Sequence, residues 1–240
     1  MKILDQLIDS LNLDAPVKDI CQGVFDTAVL TRNCGLAATL PRDALRQSPP
    51  LVADAGELSR QTAQQLVGLA YSNSILEAAI GMATINSLLY VDDTLCDELN
   101  AAELIIDKGH ERKVAIIGHF PFVDKVRKKA KSLWVIEKNP KPGDLEEDKA
   151  GELIPDADVV AITGTALTHH SLEPLLALCH PSAFVLLLGA SAPLSPVLFD
   201  FGVDAICGTW VSDPSTALRC VAQGANYRQI KGVKRLTLMK

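Results

Sequence analysis

Apolar residues at positions 3, 4, 7, 8 and 11 repeat with the helical period, so the spacing predicts an amphipathic helix over 1–11. Asp14-Ala15-Pro16 ends it. Stretches 24–30 and 36–40 read as strands. Thr31-Arg32-Asn33-Cys34-Gly35 between them offers an Asn and a Gly that can take positive φ in a hairpin turn. Pro41 and Pro49-Pro50 mark loops, and two helices are expected over 57–69 and 74–89. The second is rich in small residues (Ala78, Ala79, Gly81, Ala83), which lets a neighbour pack closely. From Lys113 the pattern changes to short, nearly all-apolar runs at 114–117, 133–136, 159–162, 184–188 and 203–207. Such runs are buried on both faces, the signature of a parallel sheet covered by helices. Helical stretches at 122–131, 172–179 and 214–223 separate some of them. The last has Asp213 as N-cap, Pro214 at the first helical position and Gly224 beyond its end.

The fold class expected is α/β: a smaller α+β unit over 1–110, then a Rossmann-like parallel sheet over 111–240, with the linker near 107–113. Charge supports two units. The chain carries 23 Lys+Arg and 29 Asp+Glu, net −6. Residues 1–110 hold 7 cations against 15 acids, and ten of the 16 remaining cations lie between Arg112 and Lys149. In 123–133 the apolar positions 123, 126, 130 and 133 form one stripe and the cations take the opposite face, as on a solvated helix. Few aromatics interleave with these cations, which argues against nucleic acid as a partner. No apolar run reaches the length of a membrane span, and an acid at Asp5 replaces the apolar stretch of a signal peptide; a cytoplasmic protein is expected. The six cysteines show no C-x-x-C and no zinc-ribbon spacing, so reduced thiols are expected.

In an open parallel sheet, ligands sit at the carboxyl ends of the strands. The loops at that rim are Gly118-His119-Phe120-Pro121, Glu137-Lys138-Asn139-Pro140, Thr163-Gly164-Thr165, Gly189-Ala190-Ser191-Ala192-Pro193 and Gly208-Thr209-Trp210-Val211. Glycine lets a backbone approach a ligand, and threonine can hydrogen-bond one. Glu137 stands 19 residues after Gly118, near the position of an acid that holds a ribose in dinucleotide enzymes. His119, Phe120 and Pro121 occupy the places where a pyrophosphate loop needs glycine. No nucleophile elbow, zinc-protease motif or phosphate loop is present.

These stretches resemble a known family, the heavy-metal chelation domain proteins. The likeness rests on Gly118-His119-Phe120-Pro121-Phe122, on Glu137-Lys138-Asn139-Pro140 with Gly143-Asp144, and on residues 158–167. It extends to 189–193, to Gly202-Val203-Asp204 and to Gly81-Met82-Ala83-Thr84-Ile85-Asn86 in the first half. The resemblance implies an enolase-N-terminal-like domain joined to a Rossmann-like one, with metal handling as the function. Two rim stretches depart from the family pattern: His169-His170-Ser171 stands where Asn-Gly-Thr is usual, and Gly189-Ala190-Ser191-Ala192-Pro193 where Gly-Pro-Ser-Thr-Pro is usual.

The expectation is a protein that binds a small molecule, a transition metal or a metal chelate in a cleft between its halves. Ligand contacts are assigned to Gly118, His119, Phe120, Glu137, Asn139, Pro140, Thr163, Gly164, Thr165, Gly189, Ser191 and Asn86. Imidazole suits transition metals, so His119 and His169 are the candidate metal ligands. Pro121 is read as the first residue of a helix, whose positive end would lie beside His119. Two other readings stay open: a Rossmann-type enzyme with a nucleotide cofactor, and a non-catalytic interaction module in a metal or cofactor pathway. Whether the chain is an enzyme, and whether it is a monomer or a homodimer, is open at this point.

Overall fold

The structure is a computed structural model that describes residues 1–39 and 48–240. Leu40, the end of the second expected strand, and Pro41 lie outside the described residues.

The first unit opens with helix α1 (Lys2–Asp9), whose Ile3, Leu4 and Leu7 are buried. An antiparallel meander follows, β1 (Asp19–Gln22), β2 (Asp26–Leu30) and β3 (Cys34–Ala38). The hairpin between β2 and β3 closes without positive φ at Asn33 or Gly35. Gly35 serves a different purpose. A Cβ there would stand 2.1 Å from the Ala83 carbonyl oxygen and 2.3 Å from the Ser87 nitrogen, so its missing side chain lets β3 lie directly on a helix. That helix is α3 (Ile75–Leu88), preceded by α2 (Ala63–Gly68) with a Thr62/Gln65 capping box. The helix expected over 57–69 is instead a short 3-10 turn at Leu58–Arg60 followed by α2. Ten of the fourteen α3 residues are buried, on all sides. It forms the centre of the unit, and burying Ile80, Met82 and Ile85 contributes about 1.5–3 kcal/mol each.

The second sheet has seven strands in the order β4-β10-β9-β8-β7-β5-β6. Five are parallel: β5 (Lys113–Ile117), β6 (Ser132–Ile136), β7 (Val159–Thr163), β8 (Phe184–Leu188) and β9 (Ala205–Val211). β10 (Val233–Met239) and the two-residue β4 (Cys96–Asp97) extend the sheet antiparallel beyond β9. The helices are α4 (Ala101–Gly109), α5 (Val123–Arg127), α6 (Ala150–Leu153), α7 (Thr165–Thr168), α8 (Leu172–Leu178) and α9 (Pro214–Ala222). Asp213 caps α9 through the Thr216 N–H, and Gly224 takes φ +75 beyond its end. Leu104 and Ile105 of α4 pack with Val114 and Ile116, so this helix covers the parallel sheet. Residues 107–113, expected as the linker, span the end of α4, the turn at 110–112 and the first residue of β5.

The parallel strands run β6-β5-β7-β8-β9 across the sheet, the doubly wound order in which the chain reverses direction between β5 and β7. The loops leaving β5 and β7 therefore diverge, and the carboxyl end between them is where doubly wound sheets bind their ligands. Among the described residues, no helix is long and apolar enough to cross a membrane.

Candidate functional site

The site is built around the switch between β5 and β7. Gly118 ends β5 at φ +103 and donates its N–H to the Ile136 carbonyl at 2.8 Å, which ties the loop to β6. A Cβ on Gly118 would meet the Thr163 side chain at 3.2 Å, so this glycine is wedged against the end of β7. The next residue, His119, donates its backbone N–H to Glu137 Oε2 at 2.9 Å. Glu137 Oε1 accepts the Asn139 N–H at 3.3 Å. Glu137 thus joins the β5 and β6 loops and shapes its own turn. Pro140 follows, exposed, in the same turn.

The side chain of His119 has its own holder. Its Nδ1 lies 2.7 Å from Asp144 Oδ2, which also accepts the Lys141 N–H at 3.0 Å. The Asp144 side chain is only 2% exposed, whereas that of His119 is 25% exposed. A carboxylate accepts, so Nδ1 carries a proton and Nε2 is the ring nitrogen left over, which in the neutral imidazole offers a lone pair. No residue among those described bonds to that Nε2. Phe120 and Phe122, which follow in the same loop, stack at 5.2 Å. Helix α5 begins only at Val123 and is five residues long, so Pro121 precedes the helix instead of opening it, and no extended helix dipole points at His119.

On the β7 side, Thr163 Oγ1 and Thr165 Oγ1 are 3.0 Å apart, and the Thr165 N–H faces Thr163 Oγ1 at 3.4 Å. The hydroxyls hold the turn into α7. Gly164 is buried against the neighbouring loop, where a Cβ would stand 2.5 Å from the Ala192 nitrogen. Beyond α7 the two adjacent histidines diverge. His170 takes φ +57 and bonds through Nε2 to the Ala70 carbonyl at 2.8 Å, clasping the first unit. His169 lies with Nδ1 3.4 Å from Lys138 Nζ, which brings it to the β6 loop beside Glu137. The structure thus places Gly118, His119, Phe120, Glu137, Asn139, Thr163, Thr165 and His169 on adjoining loops at the carboxyl end of β5, β6 and β7.

Asn86 and Ser191 lie elsewhere, at the β8–β9 end of the rim. Ser191 Oγ accepts the Ala38 N–H at 2.9 Å, and Asn86 Nδ2 donates to the Leu36 carbonyl at 2.8 Å and toward that of Ala190 at 3.5 Å. Both bridge the two units. Gly189, at φ +115, turns the chain into this contact. Asn86 Oδ1 is buried without a partner and borders a cavity lined also by Cys34, Leu194, Thr209 and Trp210, with room for about one water molecule. Gly208-Thr209-Trp210-Val211, expected as a rim loop, belongs to β9 and pairs with β10. Cys207 is buried beneath it, and burial pushes its thiol up despite a hydrogen bond from Thr237.

Asp144 is the site residue that motif spacing did not single out. Its signal is Gly143, whose φ of +93 closes the turn that returns the chain to β6, where Leu145 bridges Ile136. Metal fit follows from the donor set. Among the described residues, no group of three or more His, Cys, Asp or Glu stands together to hold a metal ion. These residues do not fit an ion coordinated by protein side chains alone.

Fold and site together define a two-unit α/β protein whose larger sheet has its switch point between β5 and β7. A family model described as "Putative heavy-metal chelation" (DUF364) matches residues 100–240, and a second with the same description (DUF4213) matches residues 4–89. The first covers more than half of the chain, which belongs to the DUF364 family. An uncharacterized protein of Methanocaldococcus jannaschii is 28% identical over 184 residues, covering 74% of this chain and 71% of that one. Two crystal structures of DUF364 proteins of unknown function are similar over 100% of this chain and 98% of theirs. The one from Desulfitobacterium hafniense DCB-2 has TM-score 0.83 at 23% identity, and the one from Pyrococcus horikoshii TM-score 0.85 at 20%. At these identities they carry the fold.

Proposed function

We propose that this protein binds a small molecule that brings its own donor atoms, a heavy-metal chelate above all, in the crevice between the β5, β6 and β7 loops. The observation that carries the reading is the His119–Asp144 pair. A buried carboxylate fixes the imidazole by Nδ1 and leaves Nε2 as a free, oriented donor at the switch point. Metal-binding histidines are held in the same way, by a carboxylate on the second ring nitrogen. The family description points toward metal, while the donor set supplies one protein ligand. A chelate reconciles the two, because the small molecule contributes the remaining donors. Glu137 is the positioning residue, since its two oxygens bind the backbone of His119 and Asn139. The Glu137 bonds leave the nucleotide reading without a specific contact in its favour.

Native mass spectrometry with elemental analysis of untagged protein tests this, after exposure to Zn(II), Ni(II), Co(II) or Cu(II) with and without a small chelator. The expected result is about one metal or organic mass per chain in the wild type and its loss in His119→Ala. Equal retention by His119→Ala, or an empty wild type under every condition, contradicts the proposal.

A further inference from the structure

We infer that the ligand of this crevice is an anion whose carboxylate meets Lys138; the inference rests on the crevice being the binding site. The argument is one of orientation. Among the described residues, Glu137 and Asp144 are the carboxylates bonded into the β5 and β6 loops, and both are already engaged. Glu137 accepts the N–H groups of His119 and Asn139, and Asp144 accepts from His119 Nδ1 and the Lys141 N–H. Their charge is directed into the loops.

The exposed groups have the opposite character. Lys138 is exposed on the β6 loop and has no carboxylate partner among the described residues. Its ammonium lies 3.4 Å from His169 Nδ1, on the turn between α7 and α8. An ammonium only donates, so the imidazole accepts, and Lys138 keeps further N–H bonds for a ligand. This contact swings the cation across the crevice toward the β7 side, while His170, bonded to the Ala70 carbonyl, anchors the turn that receives it. Lys141 adds a second exposed cation to the same loop.

A ligand bound on these loops has within reach the exposed ammonium of Lys138 on the β6 loop and the second ring nitrogen of His119 on the adjoining β5 loop. Carboxylate fits better than phosphate. The helices that start at this rim, α5 and α7, have five and four residues, too short for the helix terminus that cradles phosphate. A polycarboxylate also supplies the oxygen donors that the protein lacks around a metal. The His169-His170 pair then has a specific consequence: it positions the lysine that reads the ligand's charge.

The test is isothermal titration with citrate, with citrate plus equimolar Zn(II), and with inorganic phosphate, on wild type, Lys138→Gln, Lys138→Arg and His119→Ala. Citrate is expected to bind wild type, to bind Lys138→Gln about fivefold more weakly, and to recover in Lys138→Arg, as for one exposed charge contact. The wild-type advantage should shrink as salt is raised. Phosphate should bind more weakly than citrate. Equal citrate affinity in wild type and Lys138→Gln, or no citrate binding at all, overturns the inference. If zinc uptake is still lost in His119→Ala in that case, the crevice stands as the site and only the anion is wrong. If citrate binding depends on Lys138 but neither zinc nor His119→Ala changes it, the anion stands and the donor role of His119 falls.

Discussion

At the β5–β6 end of the rim the polar side chains bond within their own loops, whereas at the β8–β9 end they bond across to the first unit. Glu137, Asp144 and His119 organise one another and leave one imidazole nitrogen without a bond among the described residues. Ser191 and Asn86 spend their hydrogen bonds on Ala38, Leu36 and Ala190, and join two units into one body. The residue types and loop positions are alike. The difference comes from what lies opposite. β3 runs beside β9 and offers backbone groups that need partners, while the polar side chains of the β5 and β6 loops find theirs within those loops. One end of the rim therefore joins the two units, and the other is where we propose that the ligand binds.

The largest effect should come from the glycine between the two ends. Gly164→Ala places a methyl 2.5 Å from the Ala192 backbone, so the β7 loop or the 189–194 loop must move. A loss of about 3 kcal/mol or more is expected, read from urea unfolding. If the variant is as stable as wild type, the two loops are not locked together and the contrast between the ends weakens.

The support of the sealed end should respond to pH. Asp26, on β2 and paired with Ala38 of β3, is 4% exposed, and burial pushes its carboxyl up to about 7. The folded state then holds a proton that the unfolded state releases near its ordinary value of 3.8. Between those values the folded state binds more protons, so this residue's contribution to stability falls as pH rises from about 4 to 7 and stays low above. Asp26→Asn should be about 2 kcal/mol more stable than wild type at pH 8, with the difference vanishing near pH 4. A pH-independent difference would place the Asp26 carboxyl in water.

A smaller change is expected from Asn86→Ala. It removes the bonds to Leu36 and Ala190 and also the unpartnered Oδ1, so a net loss of about 1 kcal/mol is expected, with ligand affinity unchanged. Weaker binding in this variant would show that the two ends of the rim act together.

The parallel strands were legible because burial on both faces leaves continuous apolar runs, and the α9 caps because Asp, Pro and Gly each have one preferred position there. β10 was not legible. Its neighbouring Lys234 and Arg235 break the alternation, yet they stack on Trp210 and Tyr227 respectively. β4 is too short for any period, and it takes its place only by pairing with β10. In the site, strand ends located His119 and Glu137, but spacing gives no sign of where a carboxylate points. That Glu137 turns inward, and that Asp144 crosses from a later turn to hold His119, goes with the Ile136–Leu145 bridge, a contact between the end of β6 and the segment after that turn.

Histidine-selective 15N NMR, recorded while zinc citrate is titrated into the protein, tests the central claim most directly. The prediction is that the His119 Nε2 resonance shifts with the bound fraction while its Nδ1 remains bonded to Asp144 and the His170 signals stay in place. A titration that leaves His119 Nε2 unmoved, or moves only other histidines, contradicts the account.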